Sequence, residues 1–206
     1  GVKESVAVGA LDATLNGAAR ADVEAVHAVS DTLITTADMN SWRGMLEQFM
    51  DTNTAALPAS WRLVPGLEVT STGDLTLANA WDLYADVDDA DPANDWRFGA
   101  DNGVPGVLTL RAAGSVRINQ SLSDVFSDAI ATVNGLEVAY ERLAVHESWR
   151  YRIVAGADAN SADVLATTAN ANANLMLAAN TLVRTGSGDI ELAAGGDIEL
   201  GDGAAI

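Results

Sequence analysis

The sequence predicts an all-β chain wound as a parallel β-helix with short helical and loop insertions, and three observations predict it. Pairs of short apolar alternations recur eight residues apart: Leu67/Val69 with Leu75/Leu77, Leu108/Leu110 with Val116/Ile118, and Ile190/Leu192 with Ile198/Leu200. A glycine stands two positions before each second alternation, at Gly73, Gly114 and Gly196, and is followed by Asp74, Ser115 and Asp197. Hydrophobic residues make up 49% of the 206 but aromatics only 5%, so the apolar mass is chiefly Ala, Val and Leu, which suits a thin interior.

Each element follows from that pattern. Ile-Glu-Leu, Leu-Thr-Leu and Val-Arg-Ile put apolar side chains on one strand face and polar ones on the other. A crossover back into the same parallel sheet needs about a dozen residues or more. The eight-residue spacing is too short for that, so the two strands of a pair are predicted as successive sides of one coil. The corners fall at Ser71-Thr-Gly-Asp74 and Ala193-Ala-Gly-Gly196, where glycine frees the backbone and Asp or Ser bonds it locally. The expected inward set includes Leu75, Leu77, Leu108, Leu110, Ile118, Ile190 and Ile198. An antiparallel sandwich is the alternative, but compact Asn-Gly or Asp-Gly hairpin signals between matched strands are few.

The chain is read as one β-helix segment, residues 1–206, with three insertions. Residues 1–36 alternate loosely and are read as rungs. Residues 37–56 change to helical spacing, with Asp38 as the predicted cap and Trp42, Met45, Leu46, Phe49 and Met50 as a stripe that packs as a lid on the coils. Residues 84–106 open on an acidic run in which Asp86, Asp88, Asp89, Asp91 and Asp95 are the candidate ligands for calcium, a solvated acidic loop being the bland alternative. Their spacing does not match an EF-hand loop. Residues 121–147 carry Val125, Phe126, Ala129, Ile130 and Val133 at helical spacing, and a second short helix is predicted from Leu136 to Val145. Strands resume at Trp149, and Asn170, Asn172, Asn174 and Asn180 are expected at corners, where stacked asparagines form ladders.

The formal charge of −18 and a pI near 4.1 set a field that repels nucleic acid and anionic membrane surfaces, so neither is an expected partner. There is no cysteine, which removes disulfide and thiolate chemistry. No apolar run is long enough to span a bilayer as a helix. His27 and His146 are the only histidines, too few for a zinc site without carboxylates from distant coils. Glycine runs at Gly186-Ser-Gly188 and Gly195-Gly196 precede strands rather than helices and are not phosphate loops. Trp61, Trp81, Trp96 and Trp149 fit either stacking on sugars or anchoring an insertion to its base. No catalytic residues and no organic cofactor are assigned.

One family resemblance rests on a series of strings in fixed order: Val64-Pro-Gly-Leu-Glu-Val69, Gly73-Asp-Leu-Thr-Leu77, Trp81-Asp-Leu83, Trp96-Arg-Phe98, Pro105 to Gly114, Asn119 to Asp124, Trp149 to Asp158 and Gly186-Ser-Gly-Asp-Ile-Glu-Leu192. Over about residues 57–206 the chain resembles a shaft segment of the filamentous-haemagglutinin-like large exoproteins of two-partner secretion in Gram-negative bacteria. The resemblance implies a right-handed β-helix, part of a longer secreted and surface-exposed protein, non-enzymatic and acting in adhesion, aggregation or biofilm formation. It also implies a host or bacterial surface ligand such as a glycan, and an outer-membrane secretion partner for the full-length protein. Two alternatives stay open: a carbohydrate-binding or carbohydrate-active β-helix domain, and the stalk of a contact-dependent toxin-delivery exoprotein.

Overall fold

The computed structural model describes residues 20–53, 61–84, 96–99, 103–134, 136–143 and 147–206. Their secondary structure is mostly β, arranged in parallel sheets. The chain enters through β1 (Ala21–Ser30) and β2 (Leu33–Ile34), then forms one helix, α1 (Thr36–Asn53). A second pass lays down β3 (Trp61–Ser71), β4 (Leu75–Leu77) and β5 (Trp81–Asp82), and a third β6 (Val107–Ala112), β7 (Val116–Ile118) and β8 (Leu122–Ser123). A hairpin of β9 (Phe126–Val133) and β10 (Leu136–Leu143) follows. The fourth pass comprises β11 (Arg150–Ala155), β12 (Leu175–Leu177) and β13 (Val183–Arg184), and the fifth β14 (Ile190–Ala194) and β15 (Ile198–Leu200).

Successive passes visit the same sheets in the same order. The first sheet runs β1-β3-β6-β11-β14, the second β2-β4-β7-β12-β15 and the third β5-β8-β13, and every pairing in them is parallel. Register keeps like with like. Leu67, Leu108, Tyr151 and Ile190 form one inward row of the first sheet, and Val69, Leu110, Ile153 and Leu192 the next. In the second sheet Leu75, Val116, Leu175 and Ile198 align, as do Leu77, Ile118, Leu177 and Leu200. Because side chains alternate with period two, a one-residue slip would turn every one of these rows outward. The predicted inward set is buried at Leu75, Leu77, Leu108, Leu110 and Ile118, but Ile190 is only half-buried and Ile198 is 47% exposed. Those two belong to the last pass, whose apolar face has nothing stacked beyond it among the described residues.

The corner residues do more than bond locally. Asp74 Oδ1 accepts the Ser115 N–H at 2.8 Å, Ser115 Oγ accepts the Asn174 N–H at 3.1 Å, and Asn174 Oδ1 accepts the Asp197 N–H at 3.0 Å. Each of these residues immediately precedes a strand of the second sheet, so the four form a ladder from pass to pass. Its rungs run from side chain to backbone. Asn174 is the one predicted asparagine in it, and Asn170 instead caps a local turn by accepting the Asn172 N–H. A Cβ at Gly114 would sit 2.3 Å from Asp74 Oδ1, so a side chain there would displace the acceptor of the first rung.

The insertions part from expectation in three places. The helix forms as predicted, with Met39, Trp42, Leu46, Phe49 and Met50 buried, but its cap is Thr35. Asp38 lies in the first turn and reaches back, Oδ2 accepting the Thr35 N–H at 3.0 Å and its hydroxyl at 2.5 Å, the carboxylate half of a capping box. The described residues between 121 and 147 are not helical. After β8, Phe126–Val133 and Leu136–Leu143 form the antiparallel hairpin of β9 and β10, with Val133 opposite Leu136. The reason shows in the sequence as Asn134 followed by glycine, a hairpin signal, and Asn134 takes the positive φ of 52° that such a connection favours. A fourth excursion, between β11 and β12, escaped prediction. It is pinned by an antiparallel bridge between Ala157 and Thr167, and its Asp158 carbonyl accepts from Arg111 on the outer face of the first sheet.

Candidate functional site

Two clusters of polar side chains stand out, and both lie where the chain passes from the third sheet back to the first. The first is buried. Asp124 follows β8, Trp149 precedes β11, and Trp96, Arg97 and Phe98 return from the second insertion. Arg97 Nη2 meets Asp124 Oδ1 at 2.7 Å, with side-chain exposures of 4% and 0%. Asp124 Oδ2 also accepts the Trp149 N–H at 2.5 Å, and Trp149 Nε1 donates to the Trp96 carbonyl at 2.8 Å. Around this knot the rings of Trp42, Trp81, Trp96 and Trp149 touch in sequence, at centroid distances of 6.0, 5.1 and 5.9 Å. The aromatic chain thus links α1, the third sheet, the second insertion and the root of the hairpin. Val125, the residue at that root, holds a φ of 58°, a costly conformation for a β-branched side chain.

Burial decides the electrostatics of the knot. It pushes the Asp124 carboxyl above its ordinary value, and the Arg97 charge and the Trp149 N–H only partly oppose it. Tyr151 lies within the same field: burial, then the negative charges of Asp124 and Asp82, raise its phenol. Arg97 Nε and Nη1, Trp81 Nε1 and the Tyr151 hydroxyl have no hydrogen-bond partner among the described residues. Trp81, Trp96 and Trp149 are 2%, 4% and 0% exposed, so these three are anchors and present no platform to a sugar. Trp61 is half-buried.

The second cluster is open to solvent. A cavity of about 210 Å³ lies at the strand starts of the first sheet, and its charged lining is Asp22, Arg62, Glu147, Arg150 and Asp189. Gly106 and Gly188 are also part of its lining. At Gly188 a Cβ would lie 1.9 Å from the Trp149 carbonyl oxygen, so no side chain fits there. Arg62 grips Asp22 with two bonds, Nε to Oδ1 at 3.1 Å and Nη2 to Oδ2 at 2.9 Å, and also pairs with Glu147. Arg20 spans the same two acids, at 3.0 Å to Asp22 and 3.2 Å to Glu147. Burial alone would raise the Asp22 carboxyl, but hydrogen bonding and charge from Arg62, then the charges of Arg20 and Arg150, bring it below its ordinary value. The Arg62 hydrogen bond lowers Glu147 in the same way.

Chemically, this groove offers donors beside acceptors. Such a lining suits a hydroxyl-rich ligand, since each hydroxyl both donates and accepts. Sequence reasoning found neither cluster. Arg97 and Asp124 sit on different passes, 27 residues apart, and no spacing rule brings them together. The five aspartates proposed for calcium, at positions 86, 88, 89, 91 and 95, lie outside the described residues, as does His146. No group of three or more metal-ligating side chains occurs among the described residues. His27 faces the helix, its ring 4.5 Å from Phe49, and burial lowers its pKa. No described helix is long and apolar enough to cross a membrane. Compared with known proteins, the chain gives no match to a family model, to a curated protein or to a solved structure.

Proposed function

We propose that the chain is a right-handed parallel β-helix that serves as a shaft segment of a surface-exposed bacterial adhesin of the filamentous-haemagglutinin-like kind. In this reading the protein is secreted by a Gram-negative bacterium through an outer-membrane partner, catalyses no reaction, and acts in adhesion, aggregation or biofilm formation. The observation that carries it is the pass-by-pass parallel register, in which each of the five passes adds one strand to the first and one to the second sheet, and the second, third and fourth passes add one to the third. Backbone hydrogen bonds then run along the stacking axis, and the side-chain ladder from Asp74 to Asp197 follows the same axis. Such an object resists bending and carries decoration at one corner, where the helix, the second insertion and the hairpin share the aromatic seam. These are the properties of a spacer.

A second reading has an observation of its own. The groove between Arg62 and Arg150 favours a carbohydrate-binding role for this segment, with the hydroxyl-rich ligand lying across the strand starts. A glycan array probed with the purified chain, with and without calcium, tests both. Binding to defined glycans that is lost in Arg150→Ala, with an unchanged circular-dichroism spectrum, supports the carbohydrate-binding reading. A blank array together with adhesion of chain-coated beads to cells supports the spacer-adhesin reading with a protein receptor. Turnover on a polysaccharide panel would overturn the non-enzymatic assignment.

A further inference from the structure

The groove at the strand starts of the first sheet holds one guanidinium that the rest of the protein leaves unsatisfied. With 29 acidic and 11 basic residues in the chain, an arginine has many carboxylates to choose from. The other arginines with described side chains each pair with one, except Arg184, which donates to Ser123 Oγ at 2.9 Å. Arg150 does not. Its backbone N–H donates to the Gly106 carbonyl at 3.1 Å, but its side chain has no hydrogen bond or ion pair among the described residues. Two acids of the groove are already engaged, since Arg62 and Arg20 hold Asp22 and Glu147 between them. Asp189 precedes Ile190 as Arg150 precedes Tyr151, their register partner, yet it does not pair with Arg150. Ser148, nearly buried, lines the same cavity. Its Oγ accepts the Gly186 N–H at 3.1 Å and the Ser187 N–H at 2.9 Å, which occupies both lone pairs and leaves its own proton to be donated. Arg150 stands on β11, between β6 and β14, so its setting is internal to the sheet.

We propose that the groove takes a sugar bearing a single carboxylate, with Arg150 as its anion anchor. This deepens the carbohydrate-binding reading and rests on it. A planar guanidinium grips a carboxylate through two parallel N–H bonds, which no neutral ring hydroxyl can match. Ser148 adds a donor to the same acceptor-only group. The unpaired Asp189 carboxylate accepts from ring hydroxyls, which a bare anion would not supply. Charge and size limit the ligand further. One unpaired guanidinium neutralises one acid, whereas a polyanion meets the field of a chain at −18. At about 210 Å³ the cavity is smaller than those that enclose drug-sized ligands, so it holds one sugar ring and the rest of the glycan lies outside. The ligand is thus an acidic sugar at the end of an otherwise neutral glycan.

The test is titration calorimetry of the full chain with lactose extended by a terminal glucuronic, galacturonic or N-acetylneuraminic acid. Each acid is run beside its methyl ester, which keeps the ring and removes the charge, and a heparin-derived hexasaccharide serves as the polyanion. The expected result is that at least one acid binds about ten-fold or more tighter than its ester, and that the preference shrinks as salt rises. Arg150→Ala should abolish the preference, and Arg150→Lys, which keeps the charge without the fork, should recover only part of it. Because the Arg150 side chain has no partner to lose, the urea midpoint of both variants should stay nearly that of the parent chain. Equal binding of acid and ester, lost in Arg150→Ala, would overturn the carboxylate while leaving the carbohydrate-binding reading in place. No binding of any sugar would overturn both. Tighter binding of the heparin hexasaccharide than of any single acid, or acid binding indifferent to Arg150→Ala, would also overturn the proposal.

Discussion

Arg97–Asp124 and Arg62–Asp22 are the same chemical pair placed in two different solvents. The first spans 2.7 Å with side chains 4% and 0% exposed, and the second spans 2.9 Å with side chains 22% and 29% exposed. Geometry hardly separates them, yet their electrostatics have opposite sign. Burial raises the Asp124 carboxyl despite its cation, while for Asp22 desolvation is outweighed by the Arg62 hydrogen bond together with the charges of Arg62, Arg20 and Arg150. A buried ion pair recovers its desolvation only with good geometry and further hydrogen bonds, and Asp124 obtains one of those from the Trp149 N–H. The buried pair therefore acts as a tether between the root of the hairpin and the second insertion. The exposed pair lines a groove and is free to be perturbed.

The largest effect that would break this comparison comes from Asp124→Ala. It strands the Arg97 charge and the Trp149 N–H in the interior and should cost about 3–5 kcal/mol in urea unfolding, as for other broken buried pairs. Replacing both partners, Arg97→Met with Asp124→Leu, should restore most of that loss. A double variant as unstable as the single one would show that the pair contributes more than tethering.

The second effect is on pH dependence. For Asp124 the folded pKa is raised above 3.8, so the folded state holds a proton that the unfolded state has already released, and this group's contribution to stability declines as pH rises through the folded value. Asp22 and Glu147 are lowered from 3.8 and 4.5, so their contributions are present above those values and lost as pH falls through the folded ones. Unfolding free energies measured between about pH 3 and about pH 7 should therefore separate the regions. Asp124→Asn should flatten the decline on the alkaline side, and Asp22→Asn the loss on the acid side. If both variants altered the same limb, the contrast drawn here would fail.

The smallest effect belongs to Arg62→Ala. Removing a solvent-exposed partner should cost less than about 1 kcal/mol, and the difference should vanish in about 1 M salt. A larger, salt-insensitive loss would mean that the open network bears structure as the buried one does.

Much of the strand content was legible in the residues, because an alternation with period two is a local property. Leu108, Leu110, Val116 and Ile118 announce their inward faces without knowledge of any partner. The hairpin was misread for a related reason: Val125, Phe126, Ala129, Ile130 and Val133 satisfy a helical period, and only the Asn134-Gly135 turn and two arms of equal length decide for strands. The cap of α1 was misplaced by three residues because Thr and Asp both favour helix starts, and only the structure shows Thr35 outside the helix with its N–H and hydroxyl donating to the Asp38 carboxylate in the first turn. The ion pair and the groove were not legible at all. Each gathers side chains from several passes, and their meeting depends on how many residues every excursion consumes before the chain returns to register.

The amino-acid order by itself determined which side chains face in, where the corners fall and how negative the surface is, since these depend on neighbours a few positions away. The tertiary structure alone decided how deep each side chain lies and which charges meet. Ile198 and Leu175 occupy one row and share one alternation, yet the first is 47% exposed and the second is sealed. Burial is conferred by the strand stacked above, and no residue carries that information about itself.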